Sequence, residues 1–207
     1  MRKIGPWIQK SSKDVYENPW ITVQHDEVIR PDGSEGIYGV VKFKNYAVGI
    51  VAVDSESNVT LVGQHRYPFD DYSWEIPEGG SPLLEDPLAN AKRELEEETG
   101  LKANVWSDLG ELALSNSATN EKGRVYLAQD LATGKTNPDP SEKIRTKKIP
   151  LLEAYDQVMR GRMTDSISVV GIARVGIAGV GFPPVRGYTM RPSDRMKKQL
   201  PETVRCV

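Results

Sequence analysis

The chain has 207 residues, of which 27% are charged and 38% are hydrophobic, and its formal net charge is −2. This balance argues against a general nucleic-acid or membrane surface, and no window approaches the ~18 apolar residues of a membrane span. The length predicts one domain with room for an appendage. The single cysteine, Cys206, cannot form an internal disulfide, and no apolar run follows the N-terminal charges, so we expect a cytoplasmic protein without a signal peptide.

The first 45 residues predict a β hairpin. Residues 1–19 are polar and interrupted by two prolines, and no element is predicted there. Residues 20–29 and 37–43 predict two strands joined by the turn sequence Pro-Asp-Gly-Ser. The hairpin has little core of its own, so it must pack against another surface.

Two strands follow the hairpin. The almost continuous apolar run YAVGIVAV, residues 46–53, predicts a strand that is buried on both faces. A turn and a second strand over residues 59–65 come next. This strand leads into Arg66, within QHRYP, and then into WEIPEGG at residues 74–80.

The next segment carries the signals of a helix that ends at a glycine. Asp86 suits the N-cap, and Pro87 suits the first helical turn. Gly100 can adopt the left-handed conformation that stops a helix. Three apolar residues recur at helical spacing and form one stripe: Leu88, Ala91 and Leu95.

A second side of this helix is acidic. Glu94, Glu97 and Glu98 are three or four residues apart or adjacent, so their carboxylates cluster. Such a cluster repels itself unless a cation lies in it; Arg93 can reach Glu97, and the remaining charge suits a hard divalent cation. The run RELEEE alone is more often a solvated helix face, so the residues around it decide the interpretation.

Those surrounding residues complete a longer pattern. Residues 79–101 match Gly-x5-Glu-x7-Arg-Glu-U-x-Glu-Glu-x-Gly-U, where U is aliphatic. At average residue frequencies, a chance match in a chain this long is on the order of one in ten million. The pattern is the Nudix box, and the chain resembles the Nudix hydrolases, which hydrolyse a nucleoside diphosphate linked to another moiety. The resemblance implies an α/β fold: an α/β/α sandwich with a mixed sheet, plus an N-terminal antiparallel β hairpin or sheet.

The resemblance also implies a metal site. Glu94 and Glu98, one turn apart, would be direct ligands of Mg²⁺, for which Mn²⁺ can substitute. Glu97 would bind the ion directly or through water. A backbone carbonyl near Gly79 or Glu78 would complete the ligand set, and Gly79 would let the backbone approach the ion.

Other residues resemble functional positions of the ADP-ribose and ADP-sugar pyrophosphatase branch. Arg66 would contact the diphosphate of the substrate, with an arginine in a surface ion pair as the alternative, and Arg93 would orient the Glu97 carboxylate. Glu142 would be the general base, with Asp139 as the reserve candidate; a plain solvated glutamate is an equal alternative. Trp20 is a candidate for stacking on the substrate, and a core tryptophan is the alternative.

The region after the box bears on substrate choice. Residues 104–114 and 124–129 predict strands, and a polar loop joins them. ADP-ribose pyrophosphatases carry a proline in this loop where this chain has Asn116. Strict specificity for ADP-ribose is therefore not expected, and other nucleoside diphosphate sugars are equally supported.

The C-terminal third predicts a long loop, a strand over residues 143–149 and two helices, the first opened by Pro150 and the second capped by residues 163–166. The remainder has no periodicity and a basic bias, which predicts a poorly ordered tail. Three regions result, an N-terminal hairpin and dimerisation region, a Nudix domain and a tail, over residues 1–45, 46–180 and 181–207.

The expected function is Mg²⁺-dependent hydrolysis of nucleoside diphosphate sugars to a nucleoside monophosphate and a sugar phosphate. The resemblance implies a homodimer in which one subunit's N-terminal sheet completes the other's substrate site, with no nucleic-acid or membrane partner. One alternative is a Nudix hydrolase for dinucleoside polyphosphates, coenzymes or oxidised nucleotides. Another is a non-catalytic regulator that binds nucleotide sugars, although this chain keeps every box glutamate.

Overall fold

The computed structural model describes residues 1–135 and 143–179, so Glu142, Asp139 and the proposed tail lie outside the described residues. No helix in the described part of the chain is long and apolar enough to cross a membrane. The elements in chain order are β1 (Arg2–Ile4), β2 (Trp7–Glu17), β3 (Ile21–Ile29), β4 (Glu35–Phe43), β5 (Asn45–Ala52), β6 (Asn58–Arg66), β7 (Asp71–Glu75), β8 (Glu78–Pro82), α1 (Pro87–Thr99), β9 (Leu101–Ala113), β10 (Lys122–Thr133), β11 (Arg145–Pro150), α2 (Leu151–Met159) and α3 (Ser166–Gly179).

The N-terminal residues form a four-stranded antiparallel sheet in the order β1-β2-β3-β4. The predicted hairpin is β3–β4, and residues 1–19, to which the sequence pattern assigned no element, add β1 and β2. From Lys10 onward every residue of β2 is exposed, so no alternation of apolar and polar residues marks the strand in the sequence. Backbone pairing with β3, which sequence pattern does not report, holds β2 in place.

The centre of the molecule is a four-stranded mixed sheet in the order β8-β5-β10-β9, in which β5 and β10 are parallel. Successive residues of β5 face opposite sides of this sheet. Val48 and Ile50 pack in one cluster with Leu95 of α1, whereas Val51 packs in the other with Ile172 of α3. All five side chains are fully buried. Helices therefore cover both faces, which confirms the predicted α/β/α arrangement with a mixed sheet.

The third sheet is antiparallel and has three strands in the order β11-β6-β7. Its strands β6 and β7 end at Arg66 and Glu75, and the chain then passes through Ile76 and Pro77 into β8 of the mixed sheet. The Ile50 N–H donates to the Pro77 carbonyl at 2.8 Å, so the crossing between the two sheets is tied to β5.

The ends of α1 are those the sequence predicts. The Asp86 carboxylate accepts the Leu88 N–H at 3.0 Å, and Pro87 lies in the first turn. Gly100 has φ 67°, and its N–H donates to the Glu96 carbonyl at 2.9 Å. These local signals fix the register of α1, and with it the directions of the box glutamates.

The loop between β9 and β10 docks on the edge of β4. Val41 N–H donates to the Ala118 carbonyl at 2.9 Å, and the Phe43 N–H donates to the Asn120 side chain at 2.7 Å. The Tyr38 hydroxyl adds a hydrogen bond to the Ser117 carbonyl at 2.5 Å. The N-terminal sheet and the loop that contains Asn116 are therefore directly joined.

Candidate active site

Helix α1 and strand β8 meet at the glycine that opens the box. A Cβ atom on Gly79 would lie within 2.6 Å of three carboxylate atoms of Glu94, so only glycine leaves room for that carboxylate. One residue earlier, the Glu78 N–H donates to Glu98 Oε2 at 3.1 Å. Glu98 is 6% exposed. The predicted Glu94 and Glu98 thus both contact the Glu78–Gly79 backbone.

Arg93 holds two of the box carboxylates together. Its Nη1 lies 2.5 Å from Glu97 Oε2, and its Nη2 lies 2.6 Å from Glu94 Oε1. Burial lowers the pKa of Arg93, but the charges of Glu94 and Glu97 outweigh this effect and raise it. The expected pairing of Arg93 with Glu97 is present, and the structure adds Glu94 to it.

Arg66 lies at the end of β6 in a clamp of two carboxylates. Its Nε donates to both oxygens of Glu75 at 3.1 and 3.0 Å, and its Nη2 contacts both Glu75 and Glu78. Burial alone would lower the pKa of Arg66. The hydrogen bond with Glu75 and the negative charges of Glu78 and Glu75 together have a larger effect and raise this pKa above its usual value, so the guanidinium stays charged. The Arg66 side chain is 32% exposed, whereas that of Glu75 is 4% exposed. About a third of the Arg66 side chain is therefore open to solvent, while the glutamate that it binds is buried.

A third acidic residue joins this clamp. Ligand atoms of Glu75, Glu78 and Asp165 all lie within 4.8 Å of one another. Glu78 Oε2 is buried and has no hydrogen-bond partner among the described residues. Burial and the charges of Asp165 and Glu75 raise the pKa of Glu78 well above its usual range, although Arg66 opposes them.

The donor atoms fit a hard divalent cation. Carboxylate and backbone carbonyl oxygens are the ligands that Mg²⁺ and Ca²⁺ take in proteins. Around the Glu78–Gly79 backbone, α1 contributes Glu94 and Glu98. Glu97 is linked to Glu94 because both carboxylates pair with Arg93. The absence of a side chain at Gly79 leaves the space that a ligand carboxylate occupies next to the strand. The predicted residues are thus compatible with a metal centre.

An open cavity of about 390 Å³ borders the same helix. Its lining combines both signs of charge and consists of Lys92, Arg93, Glu96, Glu97 and Lys135. Arg93 and Glu97 also belong to the group of paired side chains that includes Glu94, so the cavity opens directly beside the candidate metal ligands.

One predicted site residue, Trp20, lies beside the N-terminal sheet, and one residue of the Arg66 clamp, Asp165, was not predicted as part of a site. Trp20 immediately precedes β3 of the N-terminal sheet and is 66% exposed, so it is not a core tryptophan within this chain. Asp165 was recognised only as part of a helix cap, because nothing in the sequence relates it to Glu75 and Glu78 far upstream. The paired carboxylates of WEIPE, close to an arginine, were the one available signal of the clamp.

Two family models match the chain. Residues 7–41 match the nucleoside diphosphate sugar hydrolase N-terminal domain, and residues 44–166 match the NUDIX domain. The first match corresponds to the N-terminal sheet, and the second spans both inner sheets, α1 and α2.

Known proteins resemble the chain over most of its length. It is 33% identical to the ADP-ribose pyrophosphatase of Mycobacterium tuberculosis over 89% of this chain and 90% of that protein. It is 29% identical to the CMP-5'-(N-acetyl-N-hydroxy-3-aminopropyl)phosphonate hydrolase of Streptomyces rubellomurinus, over 86% of each chain. The crystal structure of an ADP compounds hydrolase superposes with a TM-score of 0.74 at 21% identity, covering 84% of this chain and 95% of that one, which supports the fold.

Proposed function

The chain belongs to the Nudix hydrolase family, and we propose that it hydrolyses the pyrophosphate bond of nucleoside diphosphate sugars in a Mg²⁺-dependent reaction. The products would be a nucleoside monophosphate and a sugar phosphate. The N-terminal match to the nucleoside diphosphate sugar hydrolase domain supports this substrate class over the rest of the family.

One structural observation supports the proposal most strongly: a group of carboxylates from α1 and a positively charged arginine both contact Glu78 or Gly79. Glu94 and Glu98 contact the Glu78–Gly79 backbone from α1, and the Glu78 side chain holds Arg66. A diphosphate is a dense anion, so it needs positive charge and a way to lie close to carboxylates without repulsion. A metal-binding carboxylate group beside a fixed arginine satisfies both requirements.

The proposed roles follow from these contacts. When bound, Mg²⁺ would neutralise phosphoryl oxygens and lower the pKa of a bound water. Glu94 and Glu98 would hold the ion, with Glu97 directly or through water and with the backbone carbonyl of Gly79 or Glu78.

The remaining roles belong to residues that handle the substrate and the proton. Arg66, whose side chain is partly exposed, would bind the diphosphate, while Glu75 and Glu78 keep the guanidinium in place. Arg93 would keep Glu97 in position. Glu142, or Asp139 in reserve, would take the proton of the attacking water; this assignment rests on the resemblance of the loop sequence. Trp20 would stack on part of the substrate.

A specific comparison supports a second substrate class. The Streptomyces relative is named for a CMP-linked phosphonate, and its identity to this chain is only slightly below that of the ADP-ribose pyrophosphatase. Asn116 stands in place of the proline found in ADP-ribose pyrophosphatases. Nucleotides linked to a phosphonate are therefore the second candidate substrates.

The proposal includes a cytoplasmic homodimer formed through the N-terminal sheet. Several large apolar side chains in this sheet and in the turn before β3 are more than half exposed, namely Val15, Tyr16, Trp20 and Ile37. A second copy that covers them would bring Trp20 next to a substrate in the partner's site. Light scattering at micromolar concentration should give twice the chain mass; a monomeric mass would contradict this part of the proposal.

The decisive experiment is a substrate panel with Mg²⁺. It would contain ADP-ribose, ADP-glucose, GDP-mannose, UDP-glucose, a CMP-phosphonate, NADH and a dinucleoside polyphosphate, with phosphate measured after phosphatase coupling. Turnover of several sugar nucleotides at similar kcat/KM would support a broad diphosphate-sugar hydrolase. Tight binding of one compound without turnover of any would contradict an enzymatic role and favour a regulator.

A further inference from the structure

We propose that Ser168, in the first turn of α3, is a positioning residue that holds the Arg66 clamp in its working geometry. The inference rests on the proposed function, because the clamp matters only if Arg66 binds a diphosphate. Ser168 does not touch Arg66; it binds the backbone between the two glutamates that do.

The first observation is a buried hydrogen bond across 92 residues of sequence. The Ile76 N–H donates to Ser168 Oγ at 2.9 Å. Ser168 and Ile76 are both fully buried. Ile76 follows Glu75 and precedes Pro77 and Glu78, so this bond fixes the short link that separates the two clamp carboxylates.

The link is held from a second side as well. The Pro77 carbonyl accepts the Ile50 N–H of β5 at 2.8 Å. Glu75 belongs to the three-stranded sheet and Glu78 to the mixed sheet, so this link sets their separation. Loss of the α3 contact would remove one of the hydrogen bonds that hold this link from its two sides.

Ser168 itself is positioned by the end of its helix. Its N–H donates to Asp165 Oδ2 at 2.7 Å, which caps α3. The Ile76 side chain is confined between two glycines, since a Cβ on Gly49 or Gly171 would lie 3.1 or 3.2 Å from its Cδ1. Close packing at both glycines leaves α3 little freedom to shift relative to the link.

A small displacement of this link has a direct chemical consequence. Glu75 accepts from Nε and Nη2 of the guanidinium and Glu78 accepts from the same Nη2, so a change in the separation of the two carboxylates turns or withdraws Arg66. Misplacing a substrate-binding group by about 1 Å can reduce catalysis ~100-fold. Ser168 therefore acts on substrate binding through the backbone and not through its own contact.

The test uses Ser168→Ala, which removes the hydroxyl and leaves the Ile76 N–H without its acceptor. Thr60→Val is the matched control, because it removes another buried hydroxyl, one that has no hydrogen-bond partner among the described residues. Ser168→Thr restores an acceptor. Ser168→Cys, with a weakly accepting sulfur of similar size, replaces the alanine variant if that one does not fold.

Three quantities would be measured on the full chain: kcat and KM for the best sugar nucleotide of the panel, hydrogen exchange of the Ile76 amide, and the NMR signal of the Arg66 Nε–H. For Ser168→Ala we expect kcat/KM to fall ~10-fold, mainly through KM, because a binding group is misplaced. Exchange at Ile76 should quicken and the Arg66 signal should shift. Ser168→Thr should recover most of the activity, and Thr60→Val should behave as wild type.

The possible outcomes distinguish a failure of the positioning role of Ser168 from a failure of the proposed function. Faster exchange at Ile76 with unchanged kcat/KM would overturn the positioning role and leave a purely structural bond. Unchanged exchange would show that Ser168 does not hold the link at all. If the wild type hydrolyses no sugar nucleotide, the proposed function fails, and an Arg66 signal that is unmoved in Ser168→Ala would then overturn the positioning claim independently.

Discussion

The carboxylate of Glu94 fills the space in which a side chain on residue 79 would lie. Gly79→Ala should therefore displace Glu94 or β8, because the new Cβ would fall within 2.6 Å of three carboxylate atoms. We expect the protein to fold and kcat/KM to drop ~100-fold, since the proposed metal ligand Glu94 is moved by about an ångström. Steady-state kinetics with a Mg²⁺ titration measure the effect.

The neighbouring glycine provides the control for this substitution. A Cβ on Gly80 would meet nothing closer than 3.5 Å, the distance to the Asn45 side chain. Gly80→Ala should stay within a few-fold of wild type. Equal losses for the two variants would show that the strand, and not the contact with Glu94, is sensitive to substitution.

Glu98→Gln tests the second predicted ligand. Glutamine can still accept the Glu78 N–H, so the fold should survive, whereas the charge that is proposed to hold the cation is lost. Turnover should decrease roughly 1,000-fold, as expected when several kcal/mol of charge stabilisation are removed. Near-normal activity at saturating Mg²⁺ would remove Glu98 from the ligand set. Glu153→Gln is the control, because Glu153 is an exposed glutamate of α2 that accepts a hydrogen bond from Gln157 and should matter little.

Arg66→Lys separates charge from geometry. A lysine ammonium is a point charge and cannot make the fork of hydrogen bonds that Glu75 and Glu78 receive from the guanidinium. We expect KM to rise ~10-fold or more with a smaller change in kcat, because the lost interaction would stabilise the bound substrate and the transition state equally. Thermal stability should also fall, because two buried carboxylates are left poorly paired. Arg160→Lys, which alters an exposed ion pair with Asp156, should leave KM, kcat and thermal stability unchanged.

Glu121 should make stability depend on pH. Burial raises the pKa of Glu121 in the folded chain above its unfolded value. The folded state then holds its proton to higher pH, so this group's contribution to stability is present below the unfolded pKa and is lost as pH rises through the folded pKa. Glu121→Gln should therefore gain melting temperature relative to wild type at pH 7 but not at pH 4.

Glu111 gives the opposite sign and serves as the comparison for Glu121. Its hydrogen bond with Lys122 lowers the pKa of Glu111, so its stabilisation is present at neutral pH and disappears as pH falls through the lowered pKa. Glu111→Gln should lower the melting temperature slightly at pH 7 and not at pH 3. The same direction of change for both variants would contradict the assignment of these shifts.

Glu142→Gln tests the proposed general base. If Glu142 removes the proton of the attacking water, its replacement should lower kcat and abolish the acidic limb of the pH–rate profile. An unchanged profile in both shape and height would transfer the role to another residue. Asp139→Asn, made alongside, would then be the next candidate.

Local signals predicted the parts of the site that lie close together in sequence. Asp86 and Gly100 fix the ends of α1, and a helix of known register places Glu94, Glu97 and Glu98 along one side. The apolar run of β5 likewise identified the central strand. In each case the information lies within about one turn or one strand, where side-chain periodicity reports the structure directly.

The remaining contacts could not be predicted, because they join residues that only the fold brings together. Asp165 approaches Glu75 and Glu78 through the packing of α3 on the mixed sheet, and Ser168 reaches Ile76 in the same way. The glycines of α3 disfavour a helix by propensity, yet Gly171 allows close packing, since a Cβ there would lie 2.9 Å from Val51. Helix propensity, which considers each residue without its neighbours in space, does not report this gain in packing.

The docking of residues 115–120 on β4 restricts how this chain can be recombined with its relatives. Val41 and Phe43 bond to that loop through backbone donors, and Tyr38 bonds through its hydroxyl. A chimera that takes its N-terminal sheet from another protein would lose these partners and leave an open strand edge, which invites aggregation. The sheet and the loop therefore form one exchangeable unit, although about 70 residues of sequence separate them.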